Sequence, residues 1–300
     1  MATPQSRTRS ANIGELGPER LTIAIPSKGR LRDPAWELLK ATGLAPEEPG
    51  LRALTAHCRN APVEILFVNA EDVPEYVQDG VVDCGITGLD LVRERECAVD
   101  VLLPLDFGRC SLQAAVQDED RATALADLAG RRVATAHPLL AKTTLFELGI
   151  TAQIVTVTGS VEIAPRLGLA EAIIDLVSSG STLRTNGLRS LGTLFTSQAV
   201  LVGRSGDASD TRRTLATMLG SVVEARASRY LMCNAPMEAV ASIAAVLPTD
   251  GSPSVIPLAR PGVVAMHALV PAASVWQLLP ALEALGASSI LILPVERMLR

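Results

Sequence analysis

The chain has 300 residues, 48% of them hydrophobic and 20% charged, enough apolar material to fill two or three domain cores. Aromatic residues make up only 3%, so those cores are built from Leu, Val, Ile and Ala, and a formal charge of −5 offers no field to draw in a nucleic acid. The five cysteines, Cys58, Cys84, Cys97, Cys110 and Cys233, are scattered and never form a C-x-x-C pair, which argues against a disulfide framework or a zinc site and for reduced cytosolic thiols.

In chain order, residues 1–20 are polar, lack the apolar stretch of a secretory signal and are expected to form a disordered tail. Leu21–Ile25 reads as a buried strand and Pro26–Arg30 as a loop, after which Asp33 and Pro34 open a helix that Gly43 closes. Val63–Val68 is a strand, Glu71–Gln78 a short helix, and Val82–Ile86 a strand running into the turn Thr87-Gly88. Strands follow at Val101–Leu105, Ser111–Val116, Arg132–Ala136, Gln153–Val157 and Ala172–Val177, with helices at Ala124–Ala129, Leu139–Leu148 and Val161–Leu167 between them. That alternation predicts an α/β architecture with mostly parallel sheets. Leu191–Phe195 and Ala199–Val202 are strand-like, Gly203–Asp207 is a turn cluster, and a long helix runs from about Ser209 to Arg226. The remaining elements are Tyr230–Asn234, a helix over Met237–Leu247, strands Ser254–Leu258 and Val263–Val270, a helix over Ala273–Leu285 and a strand at Ser289–Leu293. Their βαββαβ order is the ferredoxin-like pattern and marks off a small C-terminal domain. No run approaches the ~20 apolar residues of a membrane helix, so a cytoplasmic protein without a membrane partner is expected.

The chemistry concentrates between Glu162 and Leu183. A buried strand ends in the small-residue loop Ser178, Ser179, Gly180, Ser181 and Thr182, where a glycine permits a positive φ. Successive amides in such a loop form an anion-binding concavity to which the hydroxyls add donors, and a helix starting near Leu183 would add its dipole. Asp175 sits inside the apolar run, where an ionised carboxylate needs a partner. Ribose hydroxyls, or a magnesium ion on a pyrophosphate, would be suitable.

Taken alone, a Ser/Gly turn is a weak motif. The longer pattern of Glu162, Gly168, Ala170, Ile173, Asp175, Ser179, Gly180, Thr182 and Leu183 resembles the signature of the ATP phosphoribosyltransferases. Ile25–Leu31, with Lys28 and Arg30, resembles that family's opening loop. Asp83–Asp90 resembles the strand and turn lining its nucleotide pocket, which implies Gly85, Thr87, Gly88 and Asp90 as nucleotide-binding residues. Leu105–Leu112 resembles the crossover between its two catalytic lobes, and Cys110 within it reads as a buried thiol. At His137 and Lys142 the chain departs from its relatives, which often carry a tyrosine and an arginine there. The C-terminal segments around Ser254 and Ala287 resemble the regulatory domain of long-chain members, which implies a histidine site.

The resemblance implies a two-lobed, periplasmic-binding-protein-like catalytic region followed by the ferredoxin-like domain. Residues 21–107 plus about 191–225 would form the first lobe, 108–190 the second and 226–300 the regulatory domain. It further implies transfer of a phosphoribosyl group from phosphoribosyl pyrophosphate to N1 of ATP, inhibition by histidine, Mg²⁺ as cofactor and a homo-oligomer, dimer or hexamer. On that reading the Ser178–Thr182 loop binds the sugar phosphate. Asp175, supported by Glu162, faces the ribose, and Lys28 and Arg30 neutralise pyrophosphate. The alternatives are a two-lobed solute-binding protein, weakened by the lack of a signal segment and by the extra domain, a catalytically dead regulatory subunit or a transcription regulator on the same lobes, and a phosphoribosyltransferase for another base.

Overall fold

Short runs of Val, Ile and Leu form the strands, and the loops between them carry the turn residues. The computed structural model describes residues 20–50, 53–178, 180–206, 210–249 and 251–299; the expected tail, apart from Arg20, and residues 207–209 of the expected turn and helix start lie outside this set. The first stretch comprises β1 (Leu21–Pro26), α1 (Arg32–Ala41), β2 (Thr55–His57), β3 (Val63–Val68), α2 (Val73–Gln78), β4 (Cys84–Gly88), α3 (Leu89–Arg95) and β5 (Val99–Pro104). The second comprises β6 (Cys110–Gln117), β7 (Arg132–Thr135), α4 (Pro138–Glu147), β8 (Gln153–Thr156), β9 (Ala172–Val177), α5 (Ser181–Thr185) and β10 (Leu188–Ser197). The chain then returns through β11 (Ala199–Arg204) and α6 (Asp210–Arg226).

Two sheets result, ordered β2-β3-β1-β4-β11-β5 and β10-β6-β9-β7-β8. In lobe I, Leu215, Leu219 and Val222 of α6 join Trp36, Leu38 and Leu39 of α1 against Ile23, Ile25 and Ile65 on one face. Val73 and Val77 of α2 cover the other face with Val200 and Val202. Lobe II is likewise filled on both faces, with Leu140 and Leu145 of α4 on Ile174 and Leu183 of α5 on Ile173.

The sheets are mixed rather than mostly parallel. Only β3-β1-β4 and β8-β7-β9 run parallel, whereas β11 lies antiparallel between β4 and β5, and β6 antiparallel between β10 and β9. The cause is the double crossing: β5 leads into β6 in the other lobe and β10 leads back into β11, so these strands enter without the crossover helix that a parallel neighbour requires. The helix expected over Val161–Leu167 is a single 3-10 turn at Val161–Ile163. Pro165 has no amide to donate, and Gly168 at φ 71° turns the chain away.

The C-terminal elements are β12 (Ser228–Pro236), α7 (Val240–Val246), β13 (Ser254–Pro257), β14 (Val263–Pro271), α8 (Val275–Ala284) and β15 (Ser288–Pro294). Their antiparallel sheet is ordered β13-β14-β12-β15, the ferredoxin-like arrangement, with Ile243, Leu278 and Leu282 packed on its inner face. Beyond β15 the chain comes back to lobe I. The Arg297 guanidinium donates to the Thr42 carbonyl at the end of α1 (3.0 Å), and the Met298 amide donates to Ser221 O of α6 (2.9 Å). No described helix is long and apolar enough to cross a membrane.

Candidate active site

In lobe II the central strand β9 buries Ala172, Ile173 and Ile174 and delivers Asp175, half-buried, to its carboxyl end. Gly180 takes the left-handed conformation (φ 71°) and caps α5, so the helix begins at Ser181, two residues earlier than the sequence places it. Buried Leu183 anchors α5 to the lobe, which aims the helix's first turn at the loop. Glu162, Asp175, Leu176, Ser178, Gly180 and Thr182 line one pocket of about 270 Å³. Ser179 lies outside the described residues, and Ser181 opens the helix at the pocket's edge. Arg184, absent from the sequence reading, stands one turn into α5 with Nη1 3.4 Å from where a Gly180 side chain would begin.

Asp175 Oδ1 accepts a hydrogen bond from the Leu176 amide at 2.8 Å. Burial pushes its pKa above the ordinary carboxylate value; the Leu176 amide and His137 pull it down, and Glu162 pushes it up again. A carboxylate so placed accepts further donors readily, because each one offsets part of the lost hydration.

Leu176 also lines a second cleft, of about 490 Å³, between the lobes. Its lobe I wall carries Lys28, Arg30, Asn69, Asp72, Gly88 and Asp90, and His137 faces it from lobe II. Lys28 is exposed to the cleft. Arg30 is divided: Nη1 donates to Gly108 O at 3.1 Å and Nη2 to Cys110 Sγ at 3.0 Å, fixing the loop to the crossover. The crossover is tightly shaped there, with Asp106 and Gly108 both at positive φ, and a side chain on Gly108 would overlap Leu31.

Of the four residues expected around the nucleotide, Gly88 and Asp90 form the wall and the other two stand behind it. Asp90 is only 2% exposed, its carboxylate accepts the Ser197 hydroxyl, and its amide donates back to Ser197 Oγ at 3.0 Å. Gly85 lies under α2, where any side chain would overlap Val73. Thr87 is fully buried, and its hydroxyl donates to Ala70 O at 2.7 Å, holding the 69–72 segment that faces the cleft.

Lys142 points away from this cleft into an apolar groove with Phe146 and Ile154. In the C-terminal domain His267 accepts or donates a 3.0 Å hydrogen bond with the Tyr230 hydroxyl and pairs in register with Ser254. Ser254 and Ala287 do not meet: β13 and β15 are opposite edges of the sheet, three strand spacings or roughly 14 Å apart.

A glycine-capped loop thus follows a strand that carries one half-buried carboxylate, and Leu176 joins its pocket to the interlobe cleft. Comparison with known proteins assigns the chemistry. A family model described as ATP phosphoribosyltransferase matches residues 69–223, and one described as HisG, C-terminal domain matches residues 225–297. The chain belongs to the ATP phosphoribosyltransferase family. It is 41% identical over 291 residues to the ATP phosphoribosyltransferase of Gemmatimonas aurantiaca, covering 93% of this chain and 99% of that one. With the Halobacterium salinarum protein of the same name it shares 39% identity over 280 residues, again 93% and 99% of the two chains. Among solved structures, a chain of the ATP phosphoribosyl transferase (HisG:HisZ) complex from Thermotoga maritima superposes with a TM-score of 0.57 at 27% identity, over 68% of this chain and 98% of that one. The protein is thus a glycosyltransferase of the first step of histidine biosynthesis, in the long form with a C-terminal domain.

Proposed function

We propose that the chain transfers the 5-phosphoribosyl group of phosphoribosyl pyrophosphate to N1 of ATP. The supporting observation is the shared wall at Leu176, which joins the Asp175–Thr182 pocket to the interlobe cleft. The sugar phosphate takes the Ser178–Thr182 loop, Ser179 included, and the α5 amides. Asp175, with Glu162 beside it, accepts the ribose hydroxyls. The nucleotide lies against Gly88 and the 69–72 segment, which Thr87 and Gly85 support from behind.

In the reaction the bond from the anomeric carbon to pyrophosphate breaks, the leaving oxygen keeps the electron pair, and adenine N1 bonds to the carbon with its own lone pair. N1 is unprotonated at neutral pH, so no strong base is required. Catalysis then consists of positioning and of stabilising an oxocarbenium-like ribose by negative charge, the role of Asp175, and a departing anion by Lys28 with Arg30. Among the described residues no group of three or more His, Cys, Asp or Glu could hold a metal ion. Mg²⁺ fits here as the counter-ion that the phosphate chains of the substrates bring with them.

Regulation by histidine through Ser254 and Ala287 requires a second copy, because one chain keeps these residues on opposite sheet edges. We accordingly read the protein as a homo-oligomer, dimer or hexamer, whose C-terminal domains meet. Sedimentation and calorimetry with histidine test this part: absence of heat, or a monomer at all concentrations, removes it.

The site itself is tested by Asp175→Asn and Thr182→Val, with pyrophosphate release as the readout. Loss of about 100-fold or more in kcat/KM for phosphoribosyl pyrophosphate is expected from Asp175→Asn. Thr182→Val should act mainly on KM. Near-normal turnover in both variants sinks the assignment.

A further inference from the structure

Helix α4 begins where β7 ends, and its own chain supplies little to its first turn. His137, at the cap position, gives no side-chain hydrogen bond, and Pro138 at the start of the helix has no amide. The next two amides, Leu139 and Leu140, donate instead to the two oxygens of one carboxylate, Glu94 Oε1 at 3.1 Å and Oε2 at 2.8 Å. Glu94 belongs to α3 of lobe I, so a lobe II helix takes its cap from the opposite lobe. A carboxylate on helix amides is a charge-assisted contact, stronger than a neutral one and favoured by the helix dipole.

Both ends of the contact are held. The Leu89 amide donates to Gln198 O where α3 begins, and Arg95 at its end pairs with Glu71 and Glu75. Asp90, one turn before Glu94 on the same helix face, lines the cleft and accepts the Ser197 hydroxyl. In lobe II, Leu140 and Leu145 of α4 pack with Ile174, the residue before Asp175. Arg30 and Asp90 tie lobe I to the crossing segments through Gly108, Cys110 and Ser197, whereas Glu94 reaches past them to the body of lobe II. Open volume borders this contact twice. One is the cleft, at Leu91 and His137; the other is a cavity of about 910 Å³ lined by Val92, Arg93, Cys97, Leu140, Thr143 and Phe195. Lobes joined by crossing strands can turn about them, and a ridge between two open volumes resists the turn chiefly through the bonds it makes.

We infer that Glu94 is a positioning residue for the transfer: by capping α4 from the opposite lobe, it holds the Lys28 and Asp90 wall at a set distance from Asp175 and its loop. This rests on the substrate assignment above. When the lobes turn apart, carboxylate and amides return to water, so the contact favours the aligned arrangement by the net gain of one charge-assisted pair. A ligand confined to the lobe II pocket does not sense that alignment. A ligand that also reaches Lys28 does.

The experiment compares the full wild-type chain with Glu94→Gln and Glu94→Ala. Hydrogen exchange at the Leu139 and Leu140 amides reads the contact without any ligand. It should be about tenfold faster in Glu94→Ala and intermediate in Glu94→Gln, which keeps one acceptor oxygen without the charge. In calorimetry, ribose 5-phosphate, which meets only the lobe II pocket, should bind all three proteins alike. Magnesium phosphoribosyl pyrophosphate, which spans to Lys28, should bind Glu94→Ala about tenfold more weakly, with Glu94→Gln between, and kcat should fall in the same order. Unchanged exchange in Glu94→Ala, or equal affinity of the three proteins for phosphoribosyl pyrophosphate, overturns the inference. A parallel loss for ribose 5-phosphate overturns it too, since Glu94 would then serve only to keep lobe II folded. Failure of the wild type to bind either sugar phosphate removes the substrate assignment, and the exchange rates still judge the contact by themselves.

Discussion

The two walls of the cleft are built on opposite plans. On the lobe I side nearly every polar group named above is already engaged within the protein: Arg30 by the crossover, Asp90 by Ser197, Thr87 by Ala70 O, Asp72 by Asn69. On the lobe II side Asp175 has a single backbone donor, and His137 Nδ1 has no partner among the described residues. Lobe I thus presents a prearranged surface whose cost was met during folding. Lobe II keeps groups with few partners among the described residues. This division suits a reaction in which one substrate must be held in position and the other must develop charge.

The largest test of the contrast strikes lobe I behind the wall. Gly85→Val forces a side chain into Val73, and overpacking of this kind costs about 1–3 kcal/mol. The unfolding transition of lobe I should drop by several degrees and KM for ATP should rise, with affinity for the sugar substrate nearly kept. An unchanged melting profile would show that the wall is looser than its packing implies. A smaller effect of opposite sign is expected in lobe II. Burial raises Asp175 above its ordinary 3.8, so the folded chain retains a proton that the unfolded chain has released. The stability this confers is complete below pH 3.8 and lost as pH rises through the folded value. Asp175→Asn should therefore match wild type in acid and melt slightly higher at neutral pH, even as activity is lost. Equal melting at both pH values would mean that lobe II carries no such strain.

Much of this was legible in the sequence where local rules govern. The Ala172–Val177 strand has the bounds its apolar run predicts, and the ferredoxin-like order follows from strand and helix periodicity. What escaped depends on distant partners. The hydrogen bond from Arg30 to Gly108, 78 residues away, has no local sign in the sequence. Glu94 looks like a surface charge until folding sets it on α4. The three-residue β2 was missed, being too short for periodicity. Ser254 and Ala287 look like one site on a line and stand on opposite edges in space.

The strand β11 has a consequence for the order of folding. Among the described residues it is the sole sheet neighbour of β5, and it closes the free side of β4, yet it follows the whole of lobe II in sequence. A chain leaving the ribosome N-terminus first can therefore complete lobe II, contiguous from Cys110 to Ser197, before lobe I. Until Ala199–Arg204 emerges, the first hundred residues carry an open sheet edge, the form of exposure that invites mispairing. Of the two catalytic lobes, the one begun first is thus the one completed second.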